Sequence, residues 1–370
     1  MTTSRYFIGL MSGTSADGID AALISVGEDG VLSLLDVCES CYPEPLRQTI
    51  FALQREANCH LSDLAATDIE VAQCFARAVH QLMESAGVDI ATISAIGSHG
   101  QTLLHQPNAE KPFSLQIGNP NVIAELTGIT VVADFRGRDI AAGGQGAPLT
   151  PLFHRAMIEQ AAGNQDIAQL GVINIGGIAN ISLFTEATTF GFDIGPGNTL
   201  MDEWSREHIG KPYDANGDWA RTGDVDSALL QRLLADPYFQ LAAPKSTGQD
   251  YFNRDWLHSV LRTGETPETV QRTLLELTAL TIADAIRNAN ITEAYLCGGG
   301  VHNSLLRERL ATASPQCKVT DTYALGLSPD WIEAAAFAWF AANAIDGIAL
   351  DTKSVTGARS STVLGAIYPS

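Results

Sequence analysis

The sequence predicts an α/β protein built from two similar halves, on three observations. Short apolar runs alternate with longer segments of helical period, the pattern of helices packed on mixed sheets. A strand, a glycine-bearing turn and a second strand occur twice, near residues 5–26 and again near 171–184. A chain of 370 residues has room for about two domains. No proline-rich or low-complexity linker divides it, so two lobes packed over a cleft are expected.

Arg5–Met11 and Ile19–Val26 read as strands around a Gly/Ser/Thr-rich loop, and Val31–Val37 as a third. Helical periods follow at about 43–57 and 61–86, then strands at Ile93–Gly97, Phe113–Ile117 and Thr130–Asp134, with a short helix at about 120–127. After the glycine-rich stretch Ala141–Gly146, a helix starts near Pro148, a residue suited to a first turn. Gly171–Ile175 and Ile178–Phe184 flank Gly176-Gly177, a hairpin signal. In a helix near 266–289, Val270, Leu274 and Leu277 share one face. Strand Ala294–Cys297 ends in Gly298-Gly299-Gly300 and leads to a helix from about Asn303. The last helix has Ser328 as its expected N-cap, Pro329 at its first position and Asp330 in its first turn. Its body, Trp331 to Ile345, is apolar on nearly every side, which predicts burial between layers or between domains.

Composition narrows the function. The chain carries 42 acidic against 22 basic residues, a net charge of −20, which argues against a nucleic-acid surface built to neutralise phosphates. No apolar run approaches the roughly 18 residues that span a bilayer, and the opening Met1-Thr-Thr-Ser-Arg-Tyr runs straight into a strand without a signal-peptide core. A cytoplasmic location is expected. Six cysteines in this length do not make a disulfide scaffold, and Cys38 and Cys41 read as ordinary reduced thiols.

Ser12-Gly-Thr-Ser-Ala-Asp-Gly-Ile-Asp20 is the sharpest segment. Gly13 and Gly18 let backbone amides approach an anion, hydroxyls can donate to phosphate oxygens, and Asp17 or Asp20 could reach Mg2+ directly or through water; a polar hairpin turn is the plainer alternative. There is no G-x-x-x-x-G-K-[ST] phosphate loop, and no G-x-S-x-G elbow for a serine hydrolase. Gly298–Gly300 after a strand could serve a nucleotide with its amides. Asp193, among apolar residues in Phe190–Gly197, is a candidate general base or a cap for the helix beginning near Asn198. Glu333 is the one charged residue from Trp331 to Ile345, and either pairs with an arginine or faces a polar cleft. In Asp134-Phe-Arg-Gly-Arg-Asp139, Arg136 or Arg138 could clamp a carboxylate or phosphate, or the four charges could form a surface cluster. His99 and Gln101 suit recognition of a polar ligand or an internal hydrogen-bonded role.

Taken together these blocks resemble the 1,6-anhydro-N-acetylmuramic acid kinases. The resemblance runs through Ile8–Asp20, Gly97–Thr102, Gln116–Pro120, Val132–Arg136, Ala141–Pro148, Asn174–Gly177, Gly191–Asn198 and Cys297–Gly300, in order along nearly the whole chain. It implies a two-lobed actin-like ATPase or sugar kinase fold (ribonuclease H-like) with ATP and sugar in the interlobe cleft. The first lobe would be 1–135 plus about 348–370, and the second 136–347. It implies a reaction in which ATP, water and the anhydro sugar give N-acetylmuramic acid 6-phosphate and ADP, a step in peptidoglycan recycling, with Mg2+ and a homodimeric state.

The same resemblance assigns residues. Asp193 matches the general base, Glu333 an acid that orients the sugar, and Arg136 joins them as catalytic. Gly13, Thr14, Ser15, Ala16, Asp17, Gly18, Ile19 and Asp20 match the ATP-binding segment; Gly176, Gly177, Gly298, Gly299, Gly300 and Asn303 go to phosphates and adenosine. Ser12, His99, Gln101, Gln116, Asn119 and Arg138 go to the sugar. The wider superfamily places an Asp before the first glycine, whereas Asp17 and Asp20 follow Gly13, so metal ligands do not carry over.

Overall fold

The computed structural model describes residues 4–370 except Asp29, 56–58, Asn164, Gln165 and Pro244. In chain order the elements are β1 (Arg5–Ser12), β2 (Ile19–Val26), β3 (Leu32–Ser40), α1 (Glu44–Arg55), α2 (Leu61–Ala86), β4 (Ile93–Gln106), β5 (Phe113–Ile117), α3 (Pro120–Thr127), β6 (Val131–Ala133), α4 (Phe135–Ala141) and α5 (Thr150–Ala162). Then come β7 (Leu170–Ile175), β8 (Ile178–Phe184), β9 (Thr189–Pro196), α6 (Thr199–Ile209), α7 (Ser227–Leu234), α8 (Arg254–Val260), α9 (Pro267–Asn288), β10 (Glu293–Cys297), α10 (Ser304–Ala313) and β11 (Lys318–Asp321). The chain closes with α11 (Ile332–Ile345), α12 (Lys353–Thr356) and β12 (Ala366–Tyr368).

Two compact units result, Met1–Gln160 with Trp331–Ser370, and Ala161–Asp330. Each holds one mixed sheet. In the first, the order is β12-β6-β4-β1-β2-β3, with β5 paired on β4. In the second it is β11-β10-β7-β8-β9. In both, the first three strands of the unit form an antiparallel meander (β1-β2-β3; β7-β8-β9), and the next two principal strands add parallel on the other side (β4 and β6; β10 and β11). The repeated strand–glycine turn–strand pattern in the sequence is the start of this meander in each unit.

The first unit's core fills one face of its sheet, with Ile8, Leu10, Ile96, Val71, Phe75 and Val79 among its buried members. α11 covers β1, β4 and β2. It lies unusually close because Gly9 and Gly97, opposite one another in the parallel β1/β4 pair, present no side chain. A Cβ on Gly9 would overlap the Ala334 carbonyl oxygen and sit 2.6 Å from the Ala338 nitrogen, and one on Gly97 would overlap the Phe337 carbonyl oxygen. The alanine-rich sequence of α11 is the matching surface. In the second unit, α9 carries the core: Val270, Leu274 and Leu277 are all buried members of it, as their spacing predicts.

The compact units group 136–160 and 331–347 with residues 1–135, and α11 is seated on the first sheet. Other expectations are corrected. β4 does not end at Gly97 but continues to Gln106, pairing with β5. The helix expected near Pro148 starts at Thr150, and the stretch after Asp134 is a helix, α4. The last helix is not capped by Ser328 or led by Pro329: it begins at Ile332 with Trp331 before it. Pro329 instead accepts the Gly298 N–H at 3.1 Å, and Asp330 pairs with His302 at 2.7 Å. The first helix is described to Arg55; its expected end near 57 lies outside the described residues. No described helix is long and apolar enough to cross a membrane.

Candidate functional site

In the first unit, the turn between β1 and β2 is held from several sides. The Ser12 hydroxyl lies 2.7 Å from both the Gly18 carbonyl and Gln101 Oε1, and serves one at a time. Gln101 Nε2 donates to the Gly13 carbonyl at 2.9 Å. From α1, Arg47 donates to the Ala16 carbonyl and pairs with Asp17 at 2.7 Å, and Gln54 donates to the Thr14 carbonyl at 3.1 Å. Ala16 and Ile19 are wholly buried core residues, so their side chains anchor the loop while Thr14 and Ser15 stay exposed. Gln101 is itself fully buried with both amide ends engaged, which makes it a brace for the turn.

His99, Arg136 and Glu333 form a second cluster. Arg136 Nε donates to His99 Nε2 at 2.9 Å, and His99 Nδ1 lies 2.8 Å from the Gly100 carbonyl. One proton on Nδ1 satisfies both contacts, so the ring is the neutral Nδ1–H tautomer. Burial, then the Arg136 charge, lower the His99 pKa to about 3, consistent with that form. With both ring nitrogens engaged, the imidazole fixes the direction of the guanidinium. Glu333 is exposed by surface area, although protein crowded around it raises its pKa, with Arg136 opposing. Burial lowers the Arg136 pKa and Glu333 opposes that shift.

The structure therefore separates the two arginines: Arg136 turns inward onto His99, and Arg138 is exposed. The surface ion-pair cluster is excluded as an account of this stretch. Asp139 is fully buried and accepts from the Gly146 N–H and the Thr356 hydroxyl, both at 2.8 Å. A polar cavity of about 290 Å³ in the same unit brings His99, Gln116 and Asn119 together with Ser98, Asp68 and Asp134. Asp68, which the sequence did not single out, accepts from the Gly118 N–H at 2.7 Å and Asn119 Nδ2 at 2.9 Å. The Ser98 hydroxyl is buried without a hydrogen-bond partner.

In the second unit Asp193 sits on β9, the edge strand. Ala179 pairs with Gly195 and Asn180 with Asp193, leaving Ile194 as the extra residue of a bulge; bulges re-aim side chains beside active sites. Burial raises the Asp193 pKa, and the Thr247 N–H, donating to Oδ2 at 3.0 Å, opposes the rise. The helix-capping alternative fails: α6 starts at Thr199 without a side-chain cap.

The Gly176-Gly177 turn accepts from the Gly197, Asn198 and Thr199 N–H groups. Asn198 Nδ2 donates to the Ile175 carbonyl at 3.0 Å. Asn303 caps α10 by accepting from the Leu306 N–H at 3.0 Å. The candidate glycines divide by what surrounds them. A Cβ would collide at Gly177, Gly298 and Gly300, whereas its nearest neighbour would be 3.6 Å away at Gly13 and Gly176 and 3.9 Å at Gly299. At those three a Cβ would make only ordinary contacts, so packing does not demand their small size, which fits close approach of a ligand to backbone. Asp17 is already engaged by Arg47, and among the described residues no group of three His, Cys, Asp or Glu could hold a metal. A larger apolar cavity of about 740 Å³ in this unit contains none of the candidate residues.

With this geometry in view, the sequence comparisons are decisive. The family described as anhydro-N-acetylmuramic acid kinase matches residues 5–370. The chain belongs to that family. It is 47% identical to the anhydro-N-acetylmuramic acid kinase of Nitrosomonas europaea over 98% of this chain and 99% of the relative. It is 48% identical to that of Xanthomonas oryzae pv. oryzae over 99% and 98%. Among solved structures, an activator of 2-hydroxyisocaproyl-CoA dehydratase from Clostridium difficile is similar at a TM-score of 0.43 and 10% identity, over 91% of this chain and 94% of that one. The chain is an anhydro-N-acetylmuramic acid kinase, a member of an ATP-using family that acts on an amino sugar.

Proposed function

We propose that the kinase couples opening of the anhydro ring to phosphoryl transfer, with Asp193 as general base. Asp193 takes a proton from a water whose oxygen attacks the anomeric carbon; the C1–O6 bond breaks, and O6 takes the electron pair. O6 then attacks the γ-phosphorus of ATP in line, and ADP leaves. The products are N-acetylmuramic acid 6-phosphate and ADP, so hydrolysis supplies the nucleophile for transfer and the protein's share is positioning and charge stabilisation. The observation that carries this reading is Asp193 itself: a half-buried carboxyl with a raised pKa, on a bulged edge strand, held at one oxygen by a backbone donor. A general base works best when its pKa is moved toward the operating pH.

The Gly13–Asp20 turn and the glycines at 176, 177 and 298–300 bind nucleotide in this reading, supported by Gly13, Gly176 and Gly299, whose small size internal packing does not require. Ser12, Gln101 and Asn303 act through the backbone they brace, and His99 acts through Arg136. Arg136 and Glu333 meet the sugar or its developing charge, and Gln116 and Asn119 present polar groups to it. Mg2+ would arrive on the ATP phosphates, where it would neutralise charge while keeping much of its water; Asp17, which pairs with Arg47, and Asp20 are the carboxylates that would hold it through water. A homodimeric state, a cytoplasmic location and a place in peptidoglycan recycling belong to the same reading and rest on the family resemblance.

The test is ADP release with Mg2+ and ATP, comparing 1,6-anhydro-N-acetylmuramic acid, ordinary N-acetylmuramic acid and no sugar. Release is expected with the anhydro sugar alone, at least a hundredfold above the other two. Equal release with the ordinary sugar would remove water activation from the mechanism.

A further inference from the structure

Asp193 is held at the open edge of β9 by three residues that follow it in the chain. Because β9 is an edge strand, the outward backbone groups of Asp193 have no neighbouring strand, and unpaired buried groups are costly. Tyr238, Lys245 and Thr247 supply the partners. The Tyr238 hydroxyl donates to the Asp193 carbonyl at 2.6 Å, the Asp193 N–H donates to the Lys245 carbonyl at 3.0 Å, and the Thr247 N–H donates to the Asp193 carboxylate at 3.0 Å. Peptide and side chain are thus gripped together.

The grip is itself anchored. Asp236 accepts from the Tyr238 N–H at 2.8 Å, the Tyr251 hydroxyl at 2.9 Å and the Trp256 indole at 2.8 Å. The Lys245 ammonium donates to the Tyr238 carbonyl at 3.2 Å and lies over the Tyr238 ring at 4.5 Å. Tyr238 is buried and meets Phe252 edge-on. Its hydroxyl therefore ends a rigid chain running from Asp236 to the carboxylate-bearing residue.

We infer that Tyr238 is a positioning residue for Asp193, aiming the base at its water without touching substrate. This rests on the reading of Asp193 as the base. Bulge and clamp have complementary parts: the bulge at Ile194 interrupts the ladder directly beside Asp193, which still pairs with Asn180, and the Tyr238 hydroxyl fixes the Asp193 peptide at that irregular point. A base misplaced by about 1 Å loses rate through geometry while leaving binding intact.

The experiment is a double-mutant cycle with Tyr238→Phe and Asp193→Asn, reading kcat and KM for both substrates from pH 5 to 9 together with the thermal midpoint. Phenylalanine keeps the ring, its contact with Phe252 and the backbone bonds, removing only the hydroxyl. Tyr238→Phe is expected to lower kcat about tenfold with KM changed less than twofold, and to move the acid limb of kcat upward in pH as the Thr247 donor drifts from Asp193. In the Asp193→Asn background the same change is expected to do nothing further. Unchanged kcat in Tyr238→Phe, or an equal loss in both backgrounds, would overturn the inference and leave Asp193 as base. Near-normal turnover in Asp193→Asn alone would remove the reading beneath it and the inference with it. A fall in kcat matched only by a fall in thermal midpoint, with the pH limb unmoved, would make Tyr238 structural and also overturn it.

Discussion

Asp193→Asn is expected to lower kcat by about two to four orders of magnitude, the range of a lost general base, while KM for ATP changes little. Asparagine preserves the shape of the side chain and can still accept from the Thr247 N–H through its amide oxygen, so the clamp and the bulge should survive. What it cannot do is accept a proton from water. The pH dependence gives a second handle on the same variant. Burial raises the Asp193 pKa and the Thr247 N–H restrains that rise; the carboxylate form is the active one, so wild-type kcat falls as pH drops through a pKa above the ordinary aspartate range. That acid limb should vanish in Asp193→Asn. Steady-state ADP release across pH checks both points, and a variant that retained the limb would assign it to another group.

The second large effect concerns stability. Gly9→Ala adds one methyl group, and here it has no room: the new Cβ would overlap the Ala334 carbonyl oxygen and crowd the Ala338 nitrogen at 2.6 Å. Both are backbone atoms of α11, which cannot rotate away as a side chain could. The helix must lift from β1 and β4, opening space around Phe337 and Phe340, both nearly wholly buried. Overpacking of this kind costs about 3 kcal/mol, or about 6–12 °C of thermal midpoint for a unit of this size. Activity should fall beyond the stability loss, since Ala334 is the neighbour of Glu333 and the lifted turn carries that carboxylate away from Arg136. Gly176→Ala is the contrast: its nearest neighbour would be 3.6 Å away, so its thermal midpoint should stay within a degree or two. A Gly9→Ala midpoint equal to wild type would show that α11 can yield at no cost.

The elements most legible in the sequence were those whose local signals agree with their burial. β2 (Ile19–Val26), β5 (Phe113–Ile117) and β8 (Ile178–Phe184) match their expected ends: glycine or proline bounds β2 and β5 on both sides, and Gly177 opens β8 while polar Thr185-Glu186 follows it. α2 ends at Ala86, where Gly87 takes a left-handed conformation with φ 63°, the usual signal for a helix C-terminus. Failures came where a local signal was spent on a distant partner. Ser328-Pro329-Asp330 has the composition of a helix start, yet Pro329 and Asp330 bond to Gly298 and His302. Those contacts are invisible to sequence spacing. A strand ending at Gly97 is what its glycine suggests, whereas pairing with β5 carries β4 on to Gln106.

The candidate site shows the same division. Asp193, Glu333 and the glycine turns stand out in the sequence because a charge or a flexible backbone is conspicuous in an apolar run. The residues that hold them do not stand out. Arg47, Gln54, Asp68 and Tyr238 act across gaps of tens of residues, and nothing local distinguishes them from surface polars or core aromatics. The one readable trace of the Asp193 clamp was Asp236-Pro237, an N-cap and first-turn pair that announces the helical turn bearing Tyr238. Arg136 and Arg138 were indistinguishable until α4 turned one toward His99 and left the other exposed.

The central claim, that one water opens the ring and the freed O6 takes the phosphoryl group, is tested most directly by running the reaction in ¹⁸O-labelled water and reading the sugar product by mass spectrometry and phosphorus NMR. The account predicts a ring-opened sugar carrying one labelled oxygen at C1 and a phosphoryl group on an unlabelled O6, formed in equal amount with ADP. A phosphorylated sugar that still holds its anhydro bridge and contains no labelled oxygen would contradict it.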